Sequence, residues 1–214
     1  MTKLIVFGGA FDPPHLGHLQ IAYALHRHFD DHKILVIPTA ASPSIGKDQM
    51  APYEHRLDMT NLTFKHPIEE KWLEVSALER DLPKPNFTID TLKYILSLNA
   101  SGKRLKLVMG FDQWETFSTW KAPLKILELA DLIVFPRGLE NEATSPSSTL
   151  PSLPLQWIRQ GEYQLGMAKV YFINVRVCNA ASRELRATLG SRGYSSWLMP
   201  RTLNYIDKMK LYAN

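Results

Sequence analysis

Residues 3–18, from Lys3 to His18, constrain this chain most, because they compress a strand, a glycine turn and the start of a helix into one short span. Residues 4–7, Leu-Ile-Val-Phe, are apolar without alternation, which suits a strand buried on both faces of a parallel sheet. Gly8 and Gly9 end that strand. Lacking a Cβ, they let the backbone turn sharply and let a ligand approach main-chain N–H groups, and Asp12-Pro13-Pro14 fixes the path onward. A helix is expected over residues 16–29, where Leu16, Leu19, Ala22, Tyr23, Leu25 and Phe29 recur at helical spacing. His15 and His18 then share one face of its first turn. The free N–H groups and positive dipole end of a helix N-terminus favour an anion, and two imidazole donors there make a phosphate site. The same pair also suits capping and packing, or half of a metal site.

Gly8-Gly-Ala-Phe-Asp-Pro-Pro-His-Leu-Gly-His18 resembles the GG-x-FDP-x-H-x-GH signature of the nucleotidyltransferases that carry an HxGH motif, and within them the bacterial nicotinate-nucleotide adenylyltransferases. The resemblance implies a Rossmann-like, doubly wound parallel α/β sheet with small C-terminal helices. It also implies adenylyl transfer from ATP to nicotinate mononucleotide, with Mg²⁺ accompanying ATP, as a step of NAD biosynthesis. His15 and His18 would be catalytic, and Gly8, Gly9 and Phe11 would bind ATP.

The 214 residues, 45% hydrophobic, suffice for one domain with a full core, so a single domain over residues 1–214 is expected, with 179–214 its helical C-terminal part. The lone cysteine, Cys178, excludes an internal disulfide framework and fits a reducing, cytoplasmic compartment. No export signal or membrane-length apolar run is read. With 25 basic and 21 acidic residues the charge is +4, a mild cationic bias that helps attract polyphosphates. Without a dense basic run interleaved with aromatics, it is no nucleic-acid footprint. Oligomeric state is left open.

Residues 33–37 form a second apolar strand closed by Pro38, giving a βαβ-like opening. Residues 39–52 read as a loop at the strand end, where open α/β sheets place ligands. The family has a proline pair followed by His-Lys in this loop; here the stretch is Ser42-Pro-Ser-Ile-Gly-Lys47, which retains only Lys47 as a phosphate contact. A helix is expected over 52–64 with Arg56 and Met59 at family positions, then a strand over 72–76. Residues 86–92 open another helix with Thr88 as N-cap. This stretch resembles the family segment that sets Thr88 beside the nicotinate ring.

Residues 105–109 form a strand, followed directly by Gly110-Phe-Asp112. A glycine there permits close backbone approach, and a carboxylate can accept from ribose hydroxyls or cap the next helix. The resemblance favours ATP contacts for Gly110 and Asp112 and makes Trp120 a stacking platform for the pyridine ring, against the commoner fate of core burial. Residues 131–135 and 169–173 are the last strands, with an exposed loop over 137–154 between them. In Asn179-Ala-Ala-Ser-Arg-Glu-Leu-Arg186, Ser182 reads as the N-cap of a helix facing a second anion, with Arg186 over the same face. Where the family has Ser-Ser-Thr, this chain has Ala181, Ser182 and Arg183, which removes two hydroxyls and adds a charge. Ser182, Arg186 and Lys47 would hold pyrophosphate. Nicotinamide mononucleotide or another phosphate ester as acceptor, and a non-catalytic nucleotide-binding protein, are the alternative readings.

Overall fold

The computed structural model describes residues 3–41, 50–98, 104–135, 149–150, 153–174, 178, 180–192 and 195–213. In chain order the elements are β1 (Lys3–Gly9), α1 (Leu16–His28), β2 (His32–Pro38), α2 (Tyr53–Thr63), α3 (Lys65–Glu69), β3 (Leu73–Val75), α4 (Thr88–Leu98), β4 (Leu105–Gly110), α5 (Phe111–Glu115), α6 (Pro123–Leu129), β5 (Ala130–Phe135), β6 (Leu155–Arg159), β7 (Glu162–Leu165), β8 (Ala168–Phe172), α7 (Ser182–Arg192) and α8 (Pro200–Met209). They gather into two compact units, each made of two chain segments: Met1–Phe7 with Phe87–Arg176, and Gly8–Asn86 with Val177–Asn214. The C-terminal helices thus group with the segment that carries the glycine turn and the histidines.

In the first unit β1, β4, β5 and β8 pair in parallel. Burial explains the unalternating sequences: Leu105–Met109 and Leu132–Phe135 are buried throughout, because helices require both faces of a parallel sheet to be apolar. Lys106 is the charged exception within β4. Its ammonium lies 3.5 Å from Asp131 and 4.7 Å from the Tyr171 ring centroid, which compensates a burial that pushes its pKa down. Trp114 is the core tryptophan here, stacked with Phe117 and edge-on to Phe172.

The antiparallel hairpin of β6 and β7, which continues onto β8, was not foreseen in the sequence. Its turn is Gln160-Gly161, and Gly161 sits at φ +75°, where a Cβ would lie 2.9 Å from the Phe172 carbonyl oxygen. Only glycine fits that position without strain. The faces of β6 are largely solvated, so no buried apolar stripe marks it out. Most of the loop expected over 137–154 lies outside the described residues.

In the second unit β2 pairs in parallel with β3, Ile34 opposite Leu73 and Val36 opposite Val75. Its helical core joins α2, α7 and α8 through Met59, Leu185, Leu189, Leu198 and Ile206. Inside it the Thr63 and Thr202 hydroxyls pair at 2.8 Å, so two buried polar groups satisfy each other. Asn86, also buried, accepts from the Ala41 N–H at 2.8 Å and donates to the Glu79 carbonyl at 3.1 Å, pinning the chain that leaves β2.

Two capping expectations are corrected. The Phe87 carbonyl accepts the first α4 bond, from the Thr91 N–H, so Phe87 is the N-cap and Thr88 the first helical residue. Likewise the Ala181 carbonyl takes the Leu185 N–H, which makes Ala181 the N-cap of α7. Ser182 instead sends its hydroxyl to the Pro13 carbonyl at 3.0 Å. In both cases the side chain that looked like a cap lies one residue too far along, and at Ser182 a tertiary acceptor uses it.

Candidate active site

The second unit holds His15, Gly17, His18, Asp12, Arg56, Ser182, Arg186 and Tyr212. His15 is the N-cap of α1 in extended geometry, and its N–H donates to Nδ1 of His18 at 3.2 Å. That bond fixes the chemistry of His18: with Nδ1 accepting, the neutral ring carries its proton on Nε2 and presents it as a donor. The two rings lie 3.8 Å apart between centroids, and His15 is only 3% exposed. Phe11, buried at φ 47°, packs its ring 4.9 Å from His18 and edge-on to Phe64. Its side chain is therefore a platform under the histidine, which leaves its backbone for any contact with ATP. Gly9 is tied to that platform, since a Cβ there would meet the Phe11 ring at 3.2 Å, whereas Gly8 faces open space.

The first turn of α1 is less free than the sequence suggested. The Leu16 N–H donates to the Trp197 carbonyl at 2.8 Å, and the His18 N–H to His15 O at 3.0 Å. Any anion here would meet mainly the imidazoles.

Asp12 is the hub of the loop. It is 1% exposed; its Oδ1 accepts from the Tyr212 hydroxyl at 2.6 Å and the Ala51 N–H at 3.2 Å. Its Oδ2 makes no hydrogen bond among the described residues and lies 3.4 Å from Arg186 Nη1. The same Nη1 donates to the Asp12 carbonyl at 2.6 Å. With the Ser182 bond to Pro13, the first turns of α7 are stapled directly to the loop preceding His15. Arg56, also 1% exposed, donates through Nη1 to the Ala10 carbonyl at 2.7 Å and through Nε to the Ala51 carbonyl at 3.0 Å. Burial lowers its pKa, and the Asp12 charge opposes that shift. Asp12, Arg56 and Tyr212 carried no site role in the sequence; the one signal for each was its place in a segment resembling the family, for Tyr212 the closing stretch from Leu198 that resembles the family's terminal helix.

The first unit holds the other predicted residues. Gly110 is the N-cap of α5, and a Cβ there would come within 2.5 Å of Asp112 Oδ1, so the glycine makes room for that exposed carboxylate. Trp120 is half-buried and edge-on to Phe117 at 5.6 Å, unlike the core residue Trp114. Lys121 pairs with Asp90 at 2.9 Å and lies 4.2 Å from the Phe87 ring centroid, which joins the Trp120 segment to the α4 start bearing Thr88. Lys47 lies outside the described residues.

Residues 6–182 match the cytidylyltransferase-like family, so the chain is a nucleotidyltransferase of that class, as its histidine pair and mostly parallel sheet indicate. A probable nicotinate-nucleotide adenylyltransferase of Chlorobium phaeovibrioides is 31% identical over 97% of this chain and 97% of its own length. Another, of Desulfotalea psychrophila, is 28% identical over 99% of this chain and 100% of its own. Among solved structures, Plasmodium falciparum nicotinic acid mononucleotide adenylyltransferase complexed with NaAD shares the fold at a TM-score of 0.74 and 19% identity, over 99% of this chain and 98% of that one. The chain belongs to the nicotinate-nucleotide adenylyltransferase family.

Proposed function

We propose that this chain transfers AMP from ATP to nicotinate mononucleotide, giving deamido-NAD and pyrophosphate in NAD biosynthesis. The observation that carries the chemistry is the His15 N–H bond to Nδ1 of His18, which assigns the donor role to Nε2, beside the buried His15 ring. The acceptor's phosphate is already ionised at neutral pH, so no side-chain nucleophile is required. Catalysis reduces to holding two phosphates in line and stabilising charge on the transferring group. His18 donates from Nε2 to the α-phosphate region, and His15 braces it. Arg186, with the start of α7, faces the departing pyrophosphate. The groups gathered here are donors that suit phosphate oxygens, so Mg²⁺ enters as part of the substrate MgATP, held by its phosphates. Thr88 and Trp120 serve the nicotinate ring, and Asp112 the ribose.

A cytoplasmic location is part of this reading. The free thiol of Cys178 suits that compartment, and among the described residues no helix is long and apolar enough to cross a membrane.

The test is pyrophosphate release by the purified protein with MgATP, offering nicotinate mononucleotide and nicotinamide mononucleotide in parallel. A strong preference for the acid is expected. Preference for the amide moves the substrate and keeps the mechanism, and silence with both in a folded protein that binds ATP overturns the reading.

A further inference from the structure

Tyr212 stands two residues from the C-terminus and 200 residues from Asp12 in sequence, yet its hydroxyl donates to the Asp12 carboxylate at 2.6 Å. Its backbone takes φ 61°, a conformation that non-glycine residues adopt at a cost and that turns the ring inward against the α2, α7 and α8 core. Burial, then the Asp12 charge, push its pKa well above the usual tyrosine range, so it stays a donor at every working pH. Arg186, the other group on Asp12, keeps 31% of its side chain exposed, and among the described residues its bonds all leave from Nη1. Among those residues the rest of the guanidinium makes no bond.

We infer that Tyr212 is a positioning residue for Arg186, acting through Asp12: by donating to Oδ1 it satisfies the buried carboxylate and leaves the Arg186 guanidinium to face a phosphate. The inference rests on the reading of Arg186 as the pyrophosphate-holding group. A buried carboxylate must be compensated by whatever donors the fold supplies. Among the described residues Oδ1 has two, Tyr212 and Ala51, and Oδ2 has only the nearby Arg186. Removing the phenol leaves Ala51 alone on Oδ1 and draws Arg186 further into the pair, away from the ligand.

The experiment compares wild type, Tyr212→Phe, Arg186→Gln and the double variant, reading pyrophosphate and MgATP affinity, the KM and kcat split, and thermal unfolding. Tyr212→Phe keeps the ring and is expected to weaken both ligands about fivefold, the size of one ordinary net hydrogen bond, with KM rising and kcat nearly unchanged. In the Arg186→Gln background the same change is expected to add almost nothing. Tyr212→Gln, which restores an N–H donor, is expected to recover part of the loss. Unchanged affinities in Tyr212→Phe, or a full fivefold loss that persists without Arg186, overturn the inference. Arg186→Gln binding pyrophosphate like wild type overturns instead the reading of Arg186, a result read in that variant alone.

Discussion

Any Cβ at Gly17 would lie 3.0 Å from both Cε1 and Nδ1 of the His15 ring, and 3.4 Å from the Cys178 carbonyl. The glycine between the two histidines is therefore a packing requirement of the His15 ring. That ring is almost wholly buried and in contact with His18, so it has little room to yield.

Gly17→Ala is accordingly expected to displace His15 and, through the His15 N–H, the His18 ring. Turnover should fall by about a hundredfold, since misplacement of about 1 Å at a transferring group is that costly. Steady-state pyrophosphate release beside circular dichroism checks it; near-normal turnover would show that the ring relaxes without consequence.

His18→Ala removes the Nε2 donor itself. The expected loss is about 10²–10³ in kcat, the cost of deleting one preorganised donor to developing charge. The fold should persist, because His18 is only partly buried. Single-turnover kinetics with MgATP separate this from a change in binding.

Arg56→Met tests stability rather than chemistry. It leaves the Ala10 and Ala51 carbonyls without their guanidinium donors and Asp12 with one fewer nearby positive charge. A cost of about 3 kcal/mol is expected, or a Tm lower by about 10 °C at this chain length. Differential scanning calorimetry measures it directly.

Alkaline pH should unfold this protein through its tyrosines. Burial pushes Tyr53 and Tyr205 up to about 12, with the neighbouring acids Glu54 and Asp58 adding to the shift, and Tyr212 goes higher still. In the unfolded chain each ionises near pH 10. Because the folded values are raised, their contribution is complete below pH 10 and is lost as pH rises from about 10 toward 12. Thermal unfolding at pH 8, 9, 10 and 11 should show a plateau and then a fall, and Tyr205→Phe, which cannot ionise, should flatten part of it.

What the sequence determined by itself was local. Residues 5–7, 107–109 and 132–135 lie in buried strands because uninterrupted apolar runs have no other stable place in a sheet covered on both faces. His15 and His18 meet because the side chains of an N-cap and of the third helical residue face each other at a helix start, whatever surrounds it. The tertiary structure decided what those residues lean on. Asp12 takes Ala51 from 39 residues away, Arg186 from 174 and Tyr212 from 200, and no local pattern encodes pairings of that separation. The same distance effect moved Ser182 from cap to staple, because the Pro13 carbonyl, 169 residues earlier, lies within reach of its hydroxyl. Periodicity and turn chemistry act over a few residues, whereas a buried carboxylate is satisfied by whichever donors the completed fold brings to it.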